Sequence, residues 1–195
     1  MGIHPHNASQ FNQEVLNKLR KLSENPKVVA IGEIGLDYYR NLSPRQAQKE
    51  AFKDQLSLAE ELELPVVIHD REAHADILEI LSKFNKKTNV IMHCFSGSKE
   101  MAEQCVKSNF YISFAGPVTF PNSHNLHEIA KWIELDKILL ETDSPWLAPQ
   151  DMRGKRNEPA FLTFTAKKIA ELKGISMDKL AEATTENAKE LFQLP

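Results

Sequence analysis

The sequence is short of several things, and each shortage excludes something. Only two of its 195 residues are cysteine. Two thiols build no disulfide framework, and the cytosol is the expected compartment. No apolar stretch approaches the roughly 18 residues of a membrane span. The opening, MGIHPHNASQF, lacks the basic and apolar regions of a signal peptide. Position 6 is His where a myristoylation motif needs Ser or Thr. Basic excess is also missing. The net charge is -3 and the pI near 6.2, which excludes a broad cationic surface for coating DNA. Nucleic-acid contact is left to local patches or to bridging metal ions. There is no repeat, linker or low-complexity segment. With 42% hydrophobic residues, 1–195 reads as a single domain with a sizeable core.

What is present is an alternation of strand-like and helix-like segments. Strands are expected at Val28–Ile34, Val66–His69, Asn89–Cys94, Phe110–Phe114 and Lys137–Glu141, with Gly2–His4 as the end of another. Helices are expected near Gln10–Leu22, after Ser43-Pro44-Arg45-Gln46 (N-cap, Pro at N1, capping-box Gln), and around Ile77–Phe84, Met101–Cys105 and Leu126–Ile133. Three more are expected near Pro159–Lys173, Met177–Ala183 and Thr185–Phe192. Repeated strand–helix units imply parallel strands with right-handed crossovers. The fold class is α/β, a TIM-type (β/α) barrel. A complete eight-fold barrel needs about 250 residues, so this one is expected to lack its first βα unit and most of the second strand.

Four apolar runs end in a residue able to bind a metal: VVAIGEIGLD (Glu33), PVVIHDR (His69), NVIMHCFSG (His93) and KILLETDSP (Asp143). In such a barrel the strand C-terminal ends converge on one face. Two imidazoles and two carboxylates gathered there form a metal site. A lone His in a strand is more often a satisfied core residue, but four such groups in matching positions are hard to explain that way. Gly32 and Gly35 flank Glu33 and are read as room for a ligand near the backbone. Alternation puts Glu33 on the same face as Asp37 and turns Cys94 away from His93, toward the core.

Three further groups have two readings each. Glu141 shares a face with Asp143 and either orients a ligand or forms an ion pair inside the barrel. His4-Pro5-His6 is a substrate-facing loop with one His near the site, or an H-x-H metal pair. Arg71, Arg153, Lys155 and Arg156 contact phosphate or lie in solvated loops. His74, His124 and His127 are read as surface residues.

Taken together, GIHPH (2–6), GEIGLDYY (32–39), PVVIHDREA (65–73), MHCFSG (92–97), ETDSPWLAP (141–149), GKRNEP (154–159) and TTENAKELF (184–192) resemble the TatD-type metal-dependent deoxyribonucleases of the amidohydrolase-like group. The resemblance spans the chain in order. It implies that Glu33 bridges two divalent ions (Mg²⁺, Mn²⁺ or Zn²⁺), that His69 and His93 bind one of them, and that Asp143 binds the other. It further implies hydrolysis of DNA phosphodiesters by activated water, from single strands or strand ends, with Glu33 and Asp143 as catalytic residues. The family pattern opens with an H-x-H strand, for which this sequence has no counterpart. Two alternatives stand beside this. One is hydrolysis of an ester or amide, as in deacylation of a mischarged transfer RNA. The other is an inactive shortened form that acts only by binding.

Overall fold

The computed structural model describes residues 1–84 and 88–195. They form two compact units, Met1–His93 and Cys94–Pro195. The first contains strands β1 (Ile31–Asp37), β2 (Val66–Arg71) and β3 (Val90–Met92), in that order and all parallel. Helix α1 (Gln13–Leu22) precedes β1, α2 (Arg45–Leu62) joins β1 to β2, and α3 (His74–Ser82) joins β2 to β3. Parallel neighbours need such crossovers, because a tight turn cannot connect them. Ile34 lies beside Ile68, and Val67 beside Ile91. Ile31, Ile34, Leu36, Val66, Ile68, Val90, Ile91 and Met92 are all buried, as expected of strands covered on both faces.

Helix α2 explains how the N-terminal residues are held. It buries Phe52, Leu56 and Ala59 at helical spacing. Full burial of a side chain such as Phe52 contributes roughly 1.5–3 kcal/mol. The same helix also buries Gln48 and Gln55. Gln55 accepts the Ile3 N–H at 2.6 Å and donates to the Ile3 carbonyl at 3.2 Å. Gln48 accepts the Asp37 N–H at 2.8 Å and donates to the Ser43 carbonyl at 2.8 Å. Two buried amides two turns apart on α2 thus satisfy backbone groups of Ile3, Asp37 and Ser43.

The boundaries differ from the sequence reading in physically informative ways. β1 begins at Ile31 rather than Val28. Ahead of it, the Met1 amine donates to the Ala30 carbonyl at 2.7 Å, and Gly32 N–H donates to the Met1 carbonyl at 2.8 Å. The first residues therefore run beside β1, and Pro5 opens a 3-10 turn (Pro5–Gln10) rather than extending a strand. Ser43 is not an N-cap: its hydroxyl donates to His6 O and accepts from Ser9 N–H, tying that turn down. α2 starts without a side-chain cap. Cys94 lies beyond β3, with φ 43°.

In the second unit, β4 (Tyr111–Phe114) and β5 (Ile138–Leu140) are parallel, with Ile112 beside Ile138. Four helices accompany them: α4 (Lys99–Lys107), α5 (His124–Trp132), α6 (Leu162–Lys173) and α7 (Met177–Phe192). Ser98 caps α4 and Ser176 caps α7 through their hydroxyls. The last two expected helices are one, α7. The helix runs on through Thr184, whose buried hydroxyl donates back to the Leu180 carbonyl. Asn187, also buried, donates to Leu135 O and Ile138 O and so pins α7 to the start of β5. Lys173 donates to the Ala130 and Ile133 carbonyls at the end of α5, where a cation suits the helix dipole. No helix among the described residues is long and apolar enough to cross a membrane.

His74 opens α3 and sits 2.8 Å from Asp70, whose carboxylate raises the imidazole above its ordinary 6.5, against a smaller opposing effect of burial. A raised His stabilises the fold below the unfolded value, and this contribution disappears as pH rises through the folded value. The pair is partly solvated, so the effect is at most about 1 kcal/mol. His74→Gln should therefore be less stable than the parent in urea at pH below 6.5 and converge with it at alkaline pH. Equal midpoints across the range would contradict this.

Candidate metal centre

Three sequence-predicted residues meet in the first unit. Glu33 lies on β1 where the pairing register with β2 shifts between Ile31 and Ile34, an irregularity of the kind that re-aims a side chain. His69 lies on β2, and His93 follows β3, its N–H donating to the Ile68 carbonyl at 2.9 Å. Glu33 Oε1 is 2.5 Å from His69 Nδ1 and 3.5 Å from His93 Nε2. The glycines near Glu33 serve a different purpose from the one expected. A Cβ on Gly35 would stand 2.0 Å from the His69 carbonyl, and one on Gly32 would stand 2.6 Å from Val67 Cβ. They let β2 approach β1 rather than admit a ligand. Gly35 also has φ 140°, a conformation side chains rarely tolerate.

One residue joins the cluster that sequence reasoning did not assign to it. Asp37, wholly buried, places Oδ2 3.1 Å from His69 Nε2 and 2.8 Å from His6 Nε2. Its Oδ1 accepts Arg40 N–H at 2.7 Å. The signal was available, since alternation from Glu33 through Gly35 leads to Asp37. A carboxylate only accepts, so both imidazoles donate to it through Nε2. In a neutral His69 this leaves a lone pair on Nδ1, aimed at Glu33.

His4 is drawn in as well. Its Nε2 stands 3.3 Å from His69 Nδ1 and 3.7 Å from Glu33 Oε1. One ligand atom from each of His4, Glu33 and His69 lies within 4.8 Å of the others. His4 Nδ1 accepts the His6 N–H at 3.1 Å, so the proton of a neutral His4 sits on Nε2. His4 is therefore a donor pointed at the centre, which favours the substrate-facing reading over the metal pair.

The electrostatics fit a cation. Burial pushes the Glu33 carboxyl up, but His4, His69 and His93 outweigh it and hold the group well below the usual carboxylate range. Burial likewise raises Asp37, and the Arg40 amide, His6 and His69 more than offset it. Two carboxylates remain ionised around one ring. The Nδ1 lone pair and a Glu33 oxygen 2.5 Å apart require positive charge at or between them. Two ligands at about 2.0–2.1 Å from a tetrahedral ion stand roughly 3.3 Å apart. The His93–Glu33 separation of 3.5 Å suits that, while the His69–Glu33 contact has to widen. One carboxylate and two imidazoles are a donor set for a borderline divalent ion.

Asp143 and Glu141 belong to the second unit. Asp143 follows β5 in a left-handed turn, φ 58°, which Asp adopts more readily than most residues. The Trp146 N–H closes the turn on the Asp143 carbonyl at 2.9 Å. Asn157, buried and unforeseen, donates from its side chain to the Thr142 and Trp146 carbonyls, and its N–H bonds Pro145 O. Glu141 accepts the N–H of Cys94 through its carboxylate. Arg71 is exposed, its guanidinium 4.1 Å from the centre of the Tyr39 ring. Arg153 lies 4.8 Å over Phe120, and Lys155 and Arg156 are exposed beside it. His127 is half-buried rather than superficial and donates to Val118 O.

If Asp37 fixes the ring of His69, Asp37→Asn should keep the fold but weaken Mn²⁺ or Zn²⁺ binding about 10- to 100-fold, measured by calorimetric titration. Parent-like affinity in a variant with a normal melting curve would contradict it.

The chain is similar to known proteins in sequence and in fold. The family described as TatD related DNase matches residues 1–193. The uncharacterized metal-dependent hydrolase YabD of Bacillus subtilis is 48% identical over 195 residues, covering 100% of this chain and 76% of YabD. The 3'-5' ssDNA/RNA exonuclease TatD of Erwinia tasmaniensis is 42% identical over 199 residues, covering 99% of this chain and 77% of that one. Among solved structures, YJJV, a TatD homologue from Escherichia coli, superposes with a TM-score of 0.92 at 30% identity, over 100% of this chain and 76% of that one. The α/β units of parallel strands, with Glu33, His69 and His93 converging at strand ends, are thus those of a family of metal-dependent hydrolases, and the chain belongs to the TatD related DNase family.

Proposed function

We propose that the protein is a divalent-metal-dependent nuclease that hydrolyses phosphodiester bonds of single-stranded DNA from strand ends. The observation that carries the reading is the meeting of Glu33 Oε1 with His69 Nδ1 and His93 Nε2. These three residues would hold one ion, and Asp143 would contribute to a second. A bound ion of this kind lowers the pKa of water and neutralises charge on a phosphoryl oxygen. The chain's own residues do the rest. Asp37 keeps His69 in the tautomer that presents Nδ1. The His4 Nε2–H, directed at the same point, is placed to donate to a phosphate oxygen. Asp143 is the proposed acceptor of the nucleophile's proton, its turn fixed by Asn157. Arg71, Arg153, Lys155 and Arg156 are the proposed phosphate contacts. A phosphodiester brings negative charge, and a cationic centre attracts it despite the chain's net charge of -3.

The relative named as an ssDNA/RNA exonuclease supports this choice of bond over an ester or amide. Glu33→Ala should reduce Mn²⁺-dependent release of nucleotides from a single-stranded oligonucleotide by at least about 100-fold, a loss on the scale of removing a group that acts in the transition state. Assays on DNA, RNA and an aminoacyl ester, run in parallel, decide the bond. Release undiminished in the variant, or turnover of the ester alone, would overturn the proposal.

A further inference from the structure

The second unit carries an exposed aromatic residue that the hydrolytic site does not use. Trp146 is 68% exposed and Leu147 43%, an unusual outlay of apolar surface for adjacent residues. They line a cavity of about 710 Å³ together with Phe120, Arg153, Lys155 and Arg156. Three of its lining residues are cationic and none is a carboxylate. The backbone beneath Trp146 is rigidly tied. Its carbonyl accepts from the buried Asn157 side chain, its N–H bonds Asp143 O, and Asn157 N–H bonds Pro145 O. The indole is thus held out to solvent on a fixed turn, with the basic segment 153–156 running straight into the residue that clamps it.

We infer that this cavity is a binding subsite for single-stranded nucleic acid, with one unpaired base stacked on Trp146 and adjoining phosphates on Lys155 and Arg156. The inference rests on the nuclease reading and adds to it how a strand is chosen. An indole stacks with any base that offers a free face, which a single strand does and a duplex interior does not. Arg153, lying over the Phe120 ring, lines the cavity beside them. The volume is within the range of sites that enclose a small ligand and has room for a nucleotide-sized group. The charge pattern decides against an apolar partner, because docking one would bury three cations without counter-charges.

The test is binding of a fluorescently labelled oligothymidylate to the full chain in EDTA, where hydrolysis cannot interfere. Trp146→Ala should weaken binding roughly 5- to 100-fold, and Trp146→Phe should restore most of it. Replacing Lys155 or Arg156 by Gln should flatten the salt dependence by about one unit of slope each. A duplex of equal length should compete poorly. Unchanged affinity in Trp146→Ala, preference for duplex, or no binding by the parent would each overturn the inference. So would self-association, seen by sedimentation, that Trp146→Ala abolishes, since a second copy would then be the occupant. Metal-dependent cleavage of a small activated phosphodiester by the parent is measured separately. Its absence overturns the nuclease reading and leaves the binding result standing.

Discussion

The His69 imidazole has a carboxylate at each of its nitrogens, Glu33 at Nδ1 and Asp37 at Nε2. Much of the first unit is arranged around that ring. Gly35 lets β2 come close enough for both carboxylates on β1 to reach it. Gln48 fixes the Asp37 backbone and Gln55 fixes Ile3, so α2 sets the position of Asp37 and of the segment that carries His4. Burying Asp37 without donors would be costly. The Arg40 amide and two imidazoles remove that cost and, in doing so, determine which nitrogen of His69 faces the centre. The ring's tautomer is therefore a consequence of packing.

Much of this was legible in the sequence. Apolar runs ending in Glu33, His69 and His93 marked residues whose side chains meet in the first unit, because strand ends are where a parallel sheet offers polar side chains. The order of strands and helices was legible for the same reason, since each buried strand is a near-continuous apolar run. What was not legible depended on contacts between distant residues. Ser43-Pro44 had every local mark of a helix cap, but a tertiary contact with His6 and Ser9 took the hydroxyl instead. Two helices were expected where α7 is one, and the buried Thr184 hydroxyl bonds back into the helix at the expected boundary. The glycines around Glu33 looked like space and proved to be filled by β2. Gln48, Gln55 and Asn157 carry no pattern that marks them as structural, because a buried amide is defined only by the backbone groups it serves.

The second unit repeats this logic with different residues. Asp143 occupies a left-handed turn, and Asn157 holds that turn from a segment fourteen positions further on, counted from 143 to 157. The same clamp fixes the backbone that presents Trp146. Glu141 accepts the Cys94 amide and so fixes backbone as well. In both units, buried amide side chains give their hydrogen bonds to backbone and so hold the segment that carries a candidate site residue.

The central claim is that Glu33, His69 and His93 share a cation. The most direct measurement is anomalous diffraction from crystals of the protein soaked in Mn²⁺ or Zn²⁺, with data collected at the metal edge. The account predicts a peak within about 2.0–2.2 Å of Glu33 Oε1, His69 Nδ1 and His93 Nε2, with Asp37 still bonded to His69 Nε2. A fully loaded crystal with no peak there, or with the metal bound through His69 Nε2, would contradict it.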